Sequence, residues 1–416
     1  MIAVAALAVL GMAGYALLSS DKTNKICTWR ELRDVMGDGI KCSKNVQLSE
    51  HQSFQHILMV APSGCGKSRR FLAHNLDLPG SIIVTDPVGE LAKMYQGDKY
   101  VINPFGNGIG YDPLKNCRSE FEVRKIAKVI LMNGAVKDNP HQQEWVDMAT
   151  PLLTAYMLYN YGTKAYSFAE MIKNICIAPI LDKGPCLYDE ILHSNVKSAK
   201  VEMNSFMQVS GSEKTLSSIR SVLNTCLQMF LDAKVQSLMS KPSIDLSVFR
   251  KEESALFIQI PERHSSYFAP LTATLISQLI DRLLDDEGVQ TYLLLDEMTN
   301  IGKLPDFSKL LSTARKHNLS ICACIQSLLQ LETAYKDEGK EIRELFKTIL
   351  VTGGLKDSAE YISKLLGTIP DKETKMPLDL MTADEIRRLD KDEMLIICNN
   401  KRPVLDRMME VVHEID

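Results

Sequence analysis

Short apolar runs of strand length recur along this chain of 416 residues, and segments with helical spacing separate most of them. Continuous apolar runs bounded by turn residues are typical of strands that are buried on both faces of a parallel sheet. Helical segments such as Tyr267–Asp286 and Phe307–Lys316 lie between them, and this alternation predicts an α/β domain with a mostly parallel sheet. The predicted strands are Ile57–Val60, Ser81–Asp86, Tyr100–Pro104, Ala255–Pro261, Tyr292–Glu297, Ser320–Gln326, Thr348–Val351 and Met394–Cys398.

The strand signals stop between about Cys117 and Phe249, where helical periodicity takes over. We therefore predict one α/β domain in two sequence halves, residues 51–116 and 250–416, interrupted by an all-α domain at residues 117–249. Apolar residues recur in the interrupting segment at the spacing of one helix face, namely Trp145, Ala149, Leu152, Leu153 and Tyr156.

The N-terminal residues differ from the rest of the chain in hydropathy. Met1–Leu18 carries no charged side chain and is just long enough to span a bilayer as a helix. We predict a single transmembrane anchor at residues 1–20 and a linker at residues 21–50. A cleaved signal peptide and a buried core helix are the alternatives, although no Lys or Arg precedes the apolar run. The positive-inside rule places the rest of the chain in the cytoplasm, because the first basic residues follow the run: Lys22, Lys25, Arg30 and Arg33.

Net charge and cysteine content exclude some classes of protein. A formal net charge of −4 excludes a globally basic nucleic-acid binder, while it leaves room for a local basic groove. The ten cysteines include no C-x-x-C pair, so neither a zinc site nor a disulfide framework is indicated. A reducing compartment is therefore favoured.

A candidate phosphate-binding loop directly follows the predicted strand Ile57–Val60, in the segment Ala61-Pro62-Ser63-Gly64-Cys65-Gly66-Lys67-Ser68. Small residues let successive backbone N–H groups turn inward and cradle phosphate oxygens, and a following helix presents its positive end to the same anion. Lys67 is predicted to reach the β- and γ-phosphates, and the Ser68 hydroxyl to bind Mg²⁺. The usual G-x-x-x-x-G-K-[ST] pattern has glycine where this chain has Ala61.

A second motif far downstream supports the first. The strand predicted at Tyr292–Glu297 ends in two carboxylates, as a Walker B strand does, with Asp296 placed for the metal and Glu297 for the attacking water. Lys67 and Asp296 are 296 − 67 = 229 residues apart, which is too long for one βαβ step and predicts an insertion between them. Together the two motifs indicate a nucleotide hydrolase that uses Mg²⁺.

The sequence around the Walker B strand resembles a known family. Leu294–Pro305, Ser312–Lys316 and Ile325–Ser327 are similar to the Walker B strand, "N-x-G-K-x-P" turn, "STAR" helix and "LQS" strand of the type IV coupling proteins of conjugation and type IV secretion, the TraG/TraD type. The resemblance runs from about residue 50 to the C-terminus, with supporting blocks at Thr85–Leu91, Asn103–Phe105, Tyr111–Leu114 and Trp145.

This resemblance implies a RecA-like P-loop ATPase that is anchored in a bacterial cell membrane and assembles as a homo-hexamer. It implies that ATP hydrolysis pumps DNA, expected to be single-stranded and bound to a relaxase, into the channel of a type IV secretion system. Members of the family commonly have two transmembrane helices, whereas this sequence has one candidate span. The alternative function is a membrane docking receptor for secreted proteins that uses ATP for assembly rather than for DNA translocation.

Two further side chains are candidates for a role in catalysis. Gln326 ends the strand predicted beside Walker B, so its amide is placed to sense the γ-phosphate; the alternative is a strand-end amide without a role. Arg315 lies in the helix of the "STAR" block and is placed as an arginine finger for the nucleotide of a neighbouring subunit. The alternative for Arg315 is a solvated arginine beside Lys316.

Overall fold

The structure is a computed structural model that describes residues 26–135, 140–177, 187–371, 374 and 376–413. The anchor predicted at residues 1–20 lies outside these ranges, and no helix within them is long and apolar enough to cross a membrane. The chain divides into two compact units. The first comprises the described residues up to Leu78, Leu293–Asp296 and the residues from Ser320 onward, and the second comprises Pro79–Tyr292 and Glu297–Leu319.

Three strands of the second unit, β4 to β6, come between two groups of strands of the first unit. In chain order they are β1 Met36–Lys41, β2 Gln47–Leu48, β3 Ile57–Val60, β4 Ser81–Thr85, β5 Lys99–Ile102, β6 Ala255–Ile258, β7 Thr291–Leu295, β8 Leu319–Ile325, β9 Thr348–Val351, β10 Thr368–Pro370, β11 Pro377–Asp379, β12 Glu393–Cys398 and β13 Val404–Arg407.

The sheet of the first unit has a parallel, fully buried centre. Its order is β13–β12–β9–β3–β8–β7. β3 pairs in parallel with β8, where Val60 is opposite Ile325, and with β9, where Val60 is opposite Val351. Every residue of β3, β8 and β9 is buried, as their apolar sequences predict. The carboxyl ends of β3 and β8 therefore lie at one edge of the sheet, and the antiparallel pairs β9–β12 and β12–β13 complete the other side.

The second unit combines a parallel sheet with many helices. Its strands β4, β6 and β5 are adjacent in that order and parallel. Helices fill the segment that was predicted to be all-α, and Ala149, Leu152, Leu153 and Tyr156 are buried on one of them. The helices of this unit are Glu90–Met94, Glu120–Gly134, Pro140–Thr163, Phe168–Ile177, Leu187–His193, Lys197–Val209, Glu213–Leu227, Ala233–Ser240, Val248–Lys251, Ser265–Asp285 and Phe307–Ala314.

The first unit has shorter helices, and it differs from the sequence-based expectations after the phosphate loop. Residues 21–50, predicted as a linker that leads to a first small strand, include a 3₁₀ turn, Trp29–Val35, and the antiparallel pair β1–β2. The helix expected after the phosphate loop is a π-helical turn, Lys67–Phe71, followed by a 3₁₀ turn, Leu72–Asn75. The α-helices of this unit are Glu50–Ser53, Leu328–Tyr335, Glu338–Leu345, Asp357–Leu366 and Ala383–Arg387.

Candidate functional site

The loop after β3 turns at two glycines. Gly64 and Gly66 have φ angles of +81° and +89°, in the left-handed region that other residues rarely adopt. A Cβ on Gly66 would lie 2.6 Å from Cδ of Arg70, so both the backbone and the space around it require glycine. A Cβ on Gly64 would meet no atom within 4 Å. The loop can therefore bring its backbone N–H groups close to an anion without side chains in the way.

Lys67 folds back over the loop that precedes it. Its Nζ donates to the carbonyl oxygen of Ala61 at 3.0 Å and to that of Pro62 at 3.4 Å. These two bonds hold the ammonium group above the glycine-rich segment, where a phosphate chain would be cradled. The role predicted for Lys67 stays a prediction: to bind a phosphate, its ammonium group must exchange these two carbonyl partners for phosphate oxygens.

Ser68 and Asp296 are brought together from opposite ends of the sequence. The Ser68 hydroxyl donates to Oδ2 of Asp296 at 2.8 Å, and Asp296 directly follows the last residue of β7. A hydroxyl and a carboxylate are oxygen ligands of the kind that Mg²⁺ prefers, and Mg²⁺ completes its shell with phosphate oxygens and water. No group of three or more His, Cys, Asp or Glu in the described ranges could hold a metal ion. The chemistry of the Ser68–Asp296 pair fits a nucleotide-bound Mg²⁺, and the assignment of these two residues as its ligands stays a prediction.

Gln326 lies beside the phosphate loop. The N–H of Ala61 donates to the carbonyl oxygen of Ile325 at 3.0 Å. Gln326, the next residue after Ile325, is therefore close to the first residue of the loop. The backbone N–H groups of Gln326 and Ser327 both donate to Oε1 of Gln330, at 2.8 and 3.1 Å. This cap fixes the backbone at Gln326 and leaves its half-buried side-chain amide for other contacts.

Glu297 and Arg315 belong to the second unit. Glu297 follows Asp296 directly, is only 7% exposed, and accepts a hydrogen bond at Oε1 from the Thr299 hydroxyl at 3.1 Å. Arg315 is exposed in a 3₁₀ turn, Arg315–His317, which follows the helix Phe307–Ala314. The catalytic roles predicted for Glu297, Arg315 and Gln326 remain predictions, as do the nucleotide- and metal-binding roles of residues 61–68 and Asp296.

A polar cluster at the carboxyl ends of β4, β5 and β6 had no predicted role. Asp86 follows β4 and accepts hydrogen bonds from the N–H groups of Gly89 and Ala92 at 3.0 and 2.9 Å, which fixes the start of the helix Glu90–Met94. Asn103 Nδ2, after β5, donates to Oε1 of Gln259, after β6, at 2.9 Å. Burial raises the pKa of Asp86, against the effect of these N–H donors. The signal in the sequence was a carboxylate or amide directly after each strand.

A second missed feature is a clasp between the phosphate loop and the C-terminal part of the first unit. Arg70 Nε donates to the carbonyl oxygen of Met409 at 2.7 Å, and one terminal nitrogen contacts the carbonyl oxygen of Lys391 at 3.1 Å and Oδ1 of Asp392 at 2.7 Å. The hydrogen bond from Arg70 lowers the pKa of Asp392. The N–H of Val412 also donates to the carbonyl oxygen of Arg69 at 3.0 Å. The turn that carries Lys67 and Ser68 is therefore tied to residues 391–412.

The Ser68–Asp296 pair places this chain among the P-loop nucleotide-binding proteins, because that class joins its phosphate loop to a strand-end carboxylate through the metal. Comparison with known sequences narrows the class. The chain belongs to the family described as "Type IV secretory system Conjugative DNA transfer", whose model matches residues 11–377. This result confirms the resemblance noted in the sequence.

Curated relatives and solved structures agree with this assignment. The chain is 23% identical to protein VirD4 of Rhizobium radiobacter, over 86% of the chain and 54% of the relative, and 24% identical to VirD4 of Agrobacterium fabrum, over 75% and 49%. It thus spans about half the length of these relatives.

The fold is similar to that of the bacterial conjugative coupling protein TrwB. The unbound monoclinic form of TrwBdeltaN70 has a TM-score of 0.77 at 17% identity, covering 94% of this chain and 93% of that one. TrwB in complex with ADP and Mg²⁺ has a TM-score of 0.77 at 16% identity, covering 94% of both chains. This likeness confirms an α/β fold with a mostly parallel sheet that fits a RecA-like domain.

Proposed function

We propose that this chain hydrolyses ATP and uses the energy to move DNA into a type IV secretion or conjugation channel. The hydrogen bond of 2.8 Å between Ser68 and Asp296 carries the proposal, because it joins the two motifs that ATP hydrolysis requires across 228 residues of sequence. Membership of a conjugative DNA-transfer family supports DNA as the transported substrate. The nucleotide complexes of TrwB support ATP and Mg²⁺ as the ligands of the loop.

Each residue of the site has a distinct task in this proposal. Lys67 neutralises charge on the β- and γ-phosphates, and the loop N–H groups hold their oxygens. Ser68 and Asp296 hold Mg²⁺, which supplies further charge neutralisation at the phosphates when it is bound. Glu297 orients the attacking water and accepts its proton, and Gln326 contacts the γ-phosphate.

The assembly that we propose is a ring, most simply a homo-hexamer, with the ATP sites between subunits. Arg315 of one subunit then stabilises the transition state in the next, a contribution worth on the order of 10³–10⁵ in rate in related chemistry. The nucleotide-binding domain comprises residues 51–116 and 250–416, and residues 117–249 form the all-α domain. Residues 1–20 attach the ring to the cell membrane, with the motor on the cytoplasmic side and the channel proteins and a relaxase–DNA complex as partners.

The ATPase rate with and without DNA tests this function. We expect the purified chain to hydrolyse ATP, and single- or double-stranded oligonucleotides to raise the rate. Lys67→Ala should weaken nucleotide binding, whereas Glu297→Gln should keep binding and lose turnover, because only the second residue handles the water. Hydrolysis by Glu297→Gln at the parent rate would show that another group is the base. An ATPase rate that is unchanged by DNA but raised by a secreted protein would favour the alternative function, a membrane docking receptor.

A mixing experiment tests the shared site. Lys67→Ala subunits can still supply Arg315 to the ATP site of a neighbouring subunit, and Arg315→Ala subunits can still bind nucleotide. A mixture of the two should therefore recover part of the ATPase activity that each variant lacks alone. The specific ATPase rate should also rise with protein concentration, because assembly completes each site. Rates that are independent of concentration, without recovery on mixing, would indicate a self-contained monomer.

A further inference from the structure

The loop that follows Glu297 in the second unit is held in a constrained conformation. It consists of a 3₁₀ turn, Met298–Ile301, and the residues from Gly302 to Pro305. Gly302 has φ = +88°, and a Cβ at this position would lie 2.6 Å from Oδ1 of Asn133. The loop is also anchored by its buried apolar side chains, Met298, Ile301 and Leu304. This loop carries one charged side chain, that of Lys303, on a constrained backbone.

Asn133 fixes the backbone of Lys303 on both sides. The N–H of Lys303 donates to Oδ1 of Asn133 at 2.7 Å, and Nδ2 of Asn133 donates to the carbonyl oxygen of Lys303 at 3.0 Å. Nδ2 also donates to the carbonyl oxygen of Val129, one turn earlier on the helix Glu120–Gly134, at 2.9 Å. The side chain of Asn133 thus makes three hydrogen bonds, of which two join this loop to a long helix and one lies within that helix.

Among the residues that the structure describes, the ammonium group of Lys303 has no counterpart of opposite charge. Within the described ranges no hydrogen bond or ion pair involves its Nζ, and the side chain is half-buried. Lys309, the next cation along the chain, instead pairs with Asp306 at 3.0 Å. Residues 298–318 hold one carboxylate, Asp306, against four cations, so this segment has a local charge of 4 − 1 = +3 in a chain of net charge −4: Lys303, Lys309, Arg315 and Lys316.

We propose that Lys303 binds the phosphodiester backbone of the nucleic acid that the protein moves, and that Asn133 is the residue that positions it. The inference rests on the proposed function, since it names a contact for the DNA. A phosphate fits a lysine that stands on a fixed backbone in a positive segment and has no partner among the described residues, because lysine contacts phosphate as a point charge and gains by releasing counterions. The contact carries no sequence information, as a motor that moves along any sequence requires.

The loop also connects this contact to the candidate catalytic base. The N–H of Asn300 donates to the carbonyl oxygen of Glu297 at 3.0 Å, so the turn that begins at Glu297 closes three residues before Lys303. The proposed phosphate contact and the candidate catalytic base therefore lie on one short segment of backbone.

Binding of a labelled single-stranded oligonucleotide of mixed sequence, measured by anisotropy at several salt concentrations, tests the proposal. Each phosphate contact contributes about 0.7 to the slope of log K against log salt for single strands. Lys303→Gln should therefore lower the slope by about 0.7 per bound subunit, which makes the loss of affinity between about 50 and 200 mM salt smaller by about 2.6-fold. Lys303→Arg should retain the slope. Lys309→Gln is the matched control, because Lys309 is already paired with Asp306.

Asn133 is tested in the same assay by a double-mutant cycle. Asn133→Ala should lower the slope in the parent protein and have no further effect in Lys303→Gln, since a purely structural role would add to the loss. A slope for Lys303→Gln equal to that of Lys309→Gln would overturn the proposal. Preferential binding of poly-glutamate over the oligonucleotide, lost in Lys303→Gln, would overturn it in favour of an acidic protein partner. If the parent chain neither hydrolyses ATP nor binds the oligonucleotide, the proposed function fails as well.

Discussion

Arg70 is the residue whose substitution tests most directly how the phosphate loop is held in place. Its side chain is 13% exposed and bridges the turn Lys67–Phe71 to the C-terminal part of the first unit. Glutamine at this position keeps a polar end but is too short to reach the acceptors on Met409 and Lys391 together. Arg70→Gln should therefore destabilise the first unit and loosen the turn that carries Lys67.

The size of the effect follows from the two carbonyl contacts. A hydrogen bond from a charged group contributes about 1.5–3 kcal/mol, and the Met409 contact, at 2.7 Å and partly buried, should count nearly in full. The Lys391 contact, at 3.1 Å and exposed to solvent, adds little. We therefore expect a loss of about 2 kcal/mol in the free energy of unfolding. This loss corresponds to a fall of roughly 4 °C in melting temperature.

Thermal and urea unfolding of the purified variants measure the loss, and binding of a fluorescent ADP analogue reports on the loop. Arg388→Gln is a suitable control, because Arg388 lies in the same unit, is exposed, and has no side-chain hydrogen bond among the described residues. Arg70→Lys should fall between the parent and Arg70→Gln. Equal melting temperatures and ADP affinities for Arg70→Gln and Arg388→Gln would refute the clasp as a stabilising contact.

Two further predictions follow from neighbouring residues. Gly66→Ala should lower the free energy of unfolding by about 1–2 kcal/mol, because alanine disfavours φ = +89°, and it should weaken ADP binding. Gly211→Ala is the control: a Cβ at Gly211 meets no atom within 4 Å, so this change should leave the melting temperature unchanged. Asp392→Asn should lower the melting temperature near neutral pH and at low salt. Since Arg70 lowers the pKa of Asp392 in the folded state, this difference should fade as the pH falls below the ordinary value of 3.8, and a difference that grows on acidification would contradict the pairing.

The strands that could be predicted from sequence are those with a continuous apolar run. Ile57–Val60 and Thr348–Val351 were predicted end to end, because a strand buried on both faces leaves no room for polar residues. The strand Val404–Arg407 was not predicted. It pairs on one side with β12, ends in Asp406 and Arg407, and has a half-exposed face, so its four residues give neither an apolar run nor a clear alternation.

The motif residues of the site could be predicted, but the contacts that hold the loop could not. Lys67, Ser68 and Asp296 are identified by side-chain chemistry at fixed spacing, and the Ser68–Asp296 contact follows from it. The acceptors of Arg70 are mostly backbone carbonyls, on residues more than 300 positions away, and a carbonyl is present at every residue. Only the folded chain shows which carbonyls are used.

The alanine at the first position of the loop is explained by the same reasoning. Glycine is required where φ is positive or where a Cβ would collide. In this loop φ is positive at Gly64 and Gly66, and a Cβ would collide at Gly66. Ala61 does not have a positive φ. What the loop uses of Ala61 is its backbone: the N–H donates to Ile325 and the carbonyl oxygen accepts from Lys67. Any small residue that fits the fully buried position supplies both groups. The departure from the usual pattern therefore leaves these backbone contacts intact, and Ala61→Gly should change nucleotide affinity little.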